Sequence, residues 1–283
     1  MTQQTLIQAL NLDAGEDGAL IADLTPDFSN AARAYDPMRG GPFGGLMAAL
    51  AARATRQALD IEAPLQTLTV QYLAAARFEP IAFHARLLRG GRSTAFAAVE
   101  AGQPGRPALS ALATFGRSSS DRPIIKPLSA RTTPFGDLDE GQMDPAFAPW
   151  FTRYIEHRFD GDHGLYGRGT VDDPTLRLWM RTTDHAPLDE ARLCFLLDGI
   201  FPAYMTVLPA PPVLSASVDL RYDLLEPLTP EVSPEGWAIF EFTVRDVGGG
   251  WAADDGVAFS PDGRPLALAR QRRKLVSPRR DAP

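Results

Sequence analysis

The chain has a single cysteine, Cys194, among 283 residues, which rules out an internal disulfide and any multi-cysteine zinc or iron–sulfur site. A lone thiol fits a reducing compartment. Positive charge is also in deficit: 28 Lys and Arg stand against 35 Asp and Glu, a formal net charge of −7, so no basic field gathers nucleic acid. No stretch approaches ~18 uninterrupted apolar residues, so no membrane span is expected. The opening residues, MTQQTLIQALNLDAGEDG, carry neither a basic region nor a long apolar run, and no signal peptide is read there. A cytoplasmic location is the expectation. The four histidines, His84, His157, His163 and His185, lack the spacing of a metal or triad site. No G-x-S-x-G, H-E-x-x-H, P-loop or dinucleotide glycine motif occurs. Neither a metal nor a cofactor is expected.

With 45% hydrophobic and 22% charged residues, the chain has the balance of a globular protein. It also contains its own repeat. LTVQYL (68–73) and residues 81–116 share an order of features with ASVDLRY (216–222) and residues 237–275. Gly91 matches Gly249 and Gly105 matches Gly263, both at an offset of 158 (249 − 91 and 263 − 105), with no gap between the landmarks. Upstream, LTV and ASV align Thr69 with Ser217 at an offset of 148, the difference falling in the Pro-rich loop LLEPLTPEVSPEG. IAFHARLL and IFEFTVRDV alternate apolar and polar residues as half-buried strands do. The Gly-Gly pairs are expected to supply the positive φ of tight hairpin turns.

An apolar helix candidate precedes each antiparallel set. The first is FGGLMAALAARATRQAL (43–59), rich in strong helix formers. The second is DEARLCFLLDGIFPAYMTV (189–207), apolar nearly all round as buried helices are, with Pro202 expected to bend or end it early. Strands are expected at 19–24, 151–159 and 175–183, and the Ser- and Pro-rich stretch between the copies reads as a linker. Each half is then a strand, a long buried helix and antiparallel strands that curve around it. That arrangement is an α+β double hotdog, two antiparallel sheets each wrapped around a long apolar helix. The expected divisions are residues 1–116, a linker 117–150, residues 151–276 and a basic tail 277–283.

In this order of features the chain resembles the acyl-CoA thioesterase II family of double hotdogs over roughly residues 15–275. Gly41-Pro42-Phe43-Gly44-Gly45 resembles the family's phenylalanine-glycine-glycine helix start. Asp198, within the second apolar helix, stands where the family has its catalytic aspartate. Ala216-Ser217-Val218-Asp219 stands where the family has alanine-threonine-isoleucine-aspartate, and Gln271 matches a family glutamine. The resemblance implies hydrolysis of acyl-CoA to free acid and CoA, with Asp198, Ser217 and Gln271 as the catalytic set. Ser217 departs from the family's threonine: the hydroxyl is kept and the methyl that fixes its rotamer is lost. A homo-oligomer is a further implication.

Repeat arithmetic points to the same residues. The matching positions in the first copy are Leu50, Thr69 and Ala113. Burying an unpaired carboxylate is costly, so a polar set in only one of two equivalent cores calls for a reaction site. Asp198 is then the base, its pKa raised by apolar surroundings, while Ser217 and Gln271 orient the attacking water. Phe43, Gly44 and Gly45 form the substrate-binding and oxyanion element, where a helix start leaves amides free. Plainer readings stand beside these. Asp198 could simply end the helix before Gly199, Ser217 be an ordinary strand serine, and Gln271 a solvated residue between Arg270 and Arg272. Asp219, two residues beyond Ser217, is a rival base, and Cys194 reads as a small core residue. The basic run 270–280 reads either as a contact for coenzyme A phosphates or as a solvated edge strand with a charged tail. A non-catalytic acyl-CoA-binding or sensing protein of the same fold is the alternative from another class.

Overall fold

The computed structural model describes residues 3–117, 125, 128–138, 143–144, 146–161, 174–208 and 214–276. The first half runs α1 (Leu6–Ala9), β1 (Asp13–Ala14), β2 (Leu20–Asp23), α2 (Gly44–Leu59), β3 (Leu65–Tyr72), β4 (Pro80–Gly90), β5 (Thr94–Gln103) and β6 (Arg106–Gly116). The second runs β7 (Ile155–Phe159), β8 (Thr175–Thr182), α3 (Glu190–Leu196), β9 (Leu214–Leu224), β10 (Ala238–Gly248), β11 (Trp251–Phe259) and β12 (Pro265–Val276). The strand order is β1-β2-β4-β5-β6-β3-β9-β12-β11-β10-β8-β7, so each half repeats the other in mirror order about the central β3–β9 pair. The chain is a double hotdog. Its two antiparallel sheets meet edge to edge, Val70 opposite Leu220, and continue as one sheet of 12 strands.

The duplication is visible in turn geometry. Gly105 and Gly263, the landmarks 158 residues apart, both have positive φ (69° and 83°) in the turns before β6 and β12. The Gly-Gly pairs differ from expectation. In the second half the positive φ values fall on Gly249 and Gly250, and neither Gly90 nor Gly91 has one. The register corrects the alignment of the central strands as well. β3 pairs Leu65 with Phe115 and Thr67 with Thr114, leaving Gln66 extra. β9 pairs Ser217 with Arg273 and Asp219 with Arg272, leaving Val218 extra. Since Phe115 and Arg273 are 158 apart, the two bulges correspond, and Ser217 matches Leu65 at an offset of 152 rather than Thr69.

The helices pack on one another, α2 against α3, but they are unequal. α2 forms as predicted, with ten of its residues buried. α3 is shorter than expected: Gly199 and Pro202 break the apolar run, and a 3₁₀ turn at Ala203–Thr206 takes the place of its last turns against β8, β10 and β11. Asp198 therefore lies just past the helix, after its C-cap Leu197, instead of inside it. Part of the linker also has a fixed place. Ala130, Phe135 and Leu138 pack on the outer face of the second half around Trp179 and Trp237, and Trp179 Nε1 donates to the Thr133 carbonyl at 3.0 Å. Asp162, His163 and the tail beyond Val276 lie outside the described residues. Among the described residues no helix is long and apolar enough to cross a membrane.

Candidate functional site

Strand alternation delivers two of the site's side chains. β12 buries Pro265, Ala267, Ala269, Gln271 and Arg273 in one row toward the helices, while Arg270 and Lys274 face outward. β12 lies between β9 and β11, so the solvated-edge reading of this basic run is corrected. The bulge at Val218 then sets the partner strand so that Ser217 stands opposite Arg273. From the loop after α3, Asp198 reaches the same spot.

These residues form one network. Gln271 Nε2 donates to Asp198 Oδ1 at 2.9 Å and to Ser217 Oγ at 2.7 Å. Arg273 Nη2 donates to Asp198 Oδ1 at 3.3 Å and to the Gln271 Oε1, and Nη1 lies 3.4 Å from Ser217 Oγ. Asp254, in register with Gln271 on β11, accepts from Arg273 Nε at 3.3 Å. Asp198, Gln271 and Asp254 are buried at 5–6% exposure and Arg273 at 9%. The three residues expected to act together are thus in contact. Arg273 and Asp254 are additions that sequence reading missed. The signal for Arg273 was present, since period two places it on the same face as Gln271.

The first half contributes the start of α2. Gly44 lies so close that a Cβ there would sit 2.9 Å from Asp198 Oδ2, and its carbonyl accepts from Tyr72 Oη at 2.9 Å. The Gly45 backbone lies near enough to pull the Asp198 carboxyl downward in pKa. Phe43 stands apart from these contacts: it is buried, stacked on Phe151 at 3.6 Å and edge-on to Phe195 at 5.1 Å. Asp219 is only partly buried and lies opposite Arg272, beyond the bulge.

Burial pushes the Asp198 carboxyl above its ordinary range, against the opposing pull of Arg273, Gln271 and the Gly45 amide. Asp254 is shifted the same way, again by burial first. Burial also raises the Cys194 thiol, which leaves it protonated and inert in the core. His157 is buried nearby, with no hydrogen-bond partner for its Nε2 among the described residues; burial holds it down at about 4, so it is neutral. Among the described residues no group of His, Cys, Asp or Glu could hold a metal ion. The groove lined by Pro134, Phe135, Trp179 and Trp237 opens beside the linker on the other face of the sheet. It holds none of the network residues.

Comparison with known proteins bears on this arrangement. Residues 32–116 match the family model of the acyl-CoA thioesterase N-terminal domain, and residues 130–272 that of its C-terminal domain. No curated protein sequence matches the chain. Among solved structures, a hot dog fold protein from Alicyclobacillus acidocaldarius is 23% identical, covering 96% of this chain and 97% of its own, with a TM-score of 0.82. An acyl-CoA thioesterase II from Mycobacterium marinum is 18% identical over 96% and 98% of the two chains, TM-score 0.70. The dehydratase domain of RzxB from Pseudomonas fluorescens is 11% identical over 93% and 97%, TM-score 0.57. The fold is common to all three, so the chemistry has to be argued from the site.

Proposed function

The chain belongs to the acyl-CoA thioesterase family, and from that premise we propose that it hydrolyses acyl-CoA by direct attack of water at Asp198, Ser217 and Gln271. The observation that carries the proposal is the Gln271 amide, whose nitrogen reaches both Asp198 Oδ1 (2.9 Å) and Ser217 Oγ (2.7 Å). A carboxylate, a hydroxyl and an amide meeting at one point can accept from and orient a single water.

In this mechanism Asp198 takes a proton as the water oxygen bonds to the thioester carbonyl carbon. The carbon–sulfur bond then breaks, and the same proton passes to the departing thiolate, giving the acid and CoA thiol. A raised pKa suits a base that must return its proton. Negative charge that develops on the carbonyl oxygen falls to the start of α2, whose first amides have no intrahelical acceptor. Gly44 and Gly45 are the candidate donors. Phe43 supports the element from below through its aromatic stack. The site draws on both halves of one chain, so the reaction needs no second copy.

Release of free thiol from a panel of short, medium, long and aromatic acyl-CoAs tests the activity and finds the substrate class. Asp198→Asn keeps the shape of the site and removes the base, so kcat should fall by about 100-fold or more. Acyl-CoA binding without thiol release by the unaltered protein would favour the sensing alternative, and near-normal turnover by the variant would remove Asp198 from the mechanism.

A further inference from the structure

The polar set has more members than a water-orienting triad requires, and the surplus is confined to one copy of the duplication. Ala113 corresponds to Gln271, and their in-register neighbours are Ala97 and Asp254. Phe115 corresponds to Arg273, and their neighbours across the bulge are Leu65 and Ser217. Where the first half has Ala, Phe and Leu at these positions, the second half has a buried aspartate, a buried arginine and a partly buried serine. The fold is built without the pair Asp254–Arg273, as the first half demonstrates. Two buried carboxylates around one guanidinium are also a costly arrangement for stability.

We infer that Arg273 and Asp254 are positioning residues for the reaction: Asp254 anchors the guanidinium, and the guanidinium fixes the Gln271 amide and pairs with Asp198. This rests on the hydrolytic reading given above. The argument for the amide is one of donors and acceptors. A guanidinium only donates, so the Gln271 oxygen must face Arg273, and that turns its nitrogen toward Asp198 and Ser217. Without Arg273 the amide is free to flip and set its oxygen against the carboxylate. The anchor is Asp254, whose Oδ2 takes Nε of Arg273 while its buried Oδ1 has no hydrogen-bond partner among the described residues.

The guanidinium also supplies the positive charge against Asp198. Other titratable groups that face this cluster are Tyr72 on β3, Tyr222 on β9, Cys194 on α3 and Tyr204 in the 3₁₀ turn. The tyrosines and the cysteine are all shifted upward and neutral near pH 7, so they cannot replace Arg273. Asp254 is an acid and has no positive charge to offer.

The test is a set of pH–rate profiles for Arg273→Gln, Arg273→Lys, Asp254→Asn and the double variant Arg273→Gln/Asp254→Asn. Arg273→Gln should move the acid limb of kcat/KM to higher pH by about one unit and lower kcat by about 10-fold, with KM nearly unchanged. Arg273→Lys keeps the charge but not the fork, so the limb should return while kcat stays low. Asp254→Asn should lower kcat, and adding it to Arg273→Gln should cost nothing further, because it acts through the guanidinium. The double variant removes the charge imbalance and serves if Arg273→Gln alone does not fold. An unmoved limb with full kcat in Arg273→Gln, or losses that multiply in the double variant, would overturn the inference. The titration of the Asp198 carboxyl carbon by NMR separates the two readings. If the unaltered protein releases no thiol, the hydrolytic reading fails, while an Asp198 midpoint that stays put in Arg273→Gln sinks the positioning role on its own.

Discussion

Gly44 and Gly45 are neighbours at the start of α2, yet each is glycine for a different reason. A Cβ on Gly45 would lie 2.5 Å from the Phe43 ring and 2.8 Å from the Phe195 carbonyl, both fixed parts of the α2–α3 contact. A Cβ on Gly44 would meet the Asp198 carboxylate at 2.9 Å and the Tyr72 hydroxyl at 3.4 Å. Gly45→Ala should therefore destabilise the fold by about 1–3 kcal/mol, the usual cost of overpacking. Gly44→Ala should act mainly on turnover, since the group that must move is the proposed base. Chemical denaturation and kcat measured on both variants check this, with the larger midpoint loss expected in Gly45→Ala and the larger loss of kcat relative to stability in Gly44→Ala. The sequence made both glycines visible through the Pro-Phe-Gly-Gly turn. What it could not tell apart was a glycine demanded by backbone from one demanded by a carboxylate, because Asp198 is far away along the chain.

Among the elements, the strands were the most legible and the second helix the least. Alternation and the landmarks Gly105 and Gly263 marked the paired hairpins, and both glycines take the positive φ that makes those turns tight. A bulge has no signature of that kind. Gln66 and Val218 are ordinary strand residues, so the likeness of LTV to ASV drew the alignment four residues away from the true match. Arg273 was hidden for a related reason: an arginine within Arg-Gln-Arg-Arg reads as surface until the register puts it inside. Asp254 is adjacent to Asp255, and only pairing with β12 decides which of the two faces the core. The junction of the halves depends on a further acid, one that is only partly buried. Glu190 at the start of α3 accepts from Arg56 on α2 at 2.6 and 2.8 Å and from the Leu65 amide on β3 at 2.7 Å. Glu190→Ala leaves these donors without an acceptor and should cost about 2 kcal/mol in denaturant unfolding. Glu62→Ala, which removes an exposed ion pair with Arg117, should cost close to nothing.

For the molecule as a whole, the buried ionisable groups act on stability in opposite directions as pH changes. His157 titrates at about 4 in the folded chain against an ordinary 6.5. The unfolded chain therefore takes up this proton first on acidification, and the contribution of neutral His157 is present above about 6.5 and lost as pH falls toward 4. That shift corresponds to about 3 kcal/mol. Asp198 and Asp254 have raised pKa values, so their folded forms hold protons more tightly than the unfolded chain does. Their contribution is complete below the ordinary aspartate value of 3.8 and is lost as pH rises through the folded values. Acidification from neutral pH thus costs stability through His157 and restores it through the site carboxylates. Paired acids such as Glu156 and Asp184 have lowered values, so their contribution is present above the ordinary carboxylate range and is lost only as pH falls below it. Between about pH 7 and 5 the His157 window is the one that acidification enters, and the raised site carboxyls can only oppose it. His157→Gln keeps a polar side chain of similar size and removes the titration. Its unfolding midpoint should hold level or rise over that interval, where the unaltered protein's falls or stays flat. A variant whose midpoint drops as steeply as that of the unaltered protein would mean that neither buried site governs the acid response.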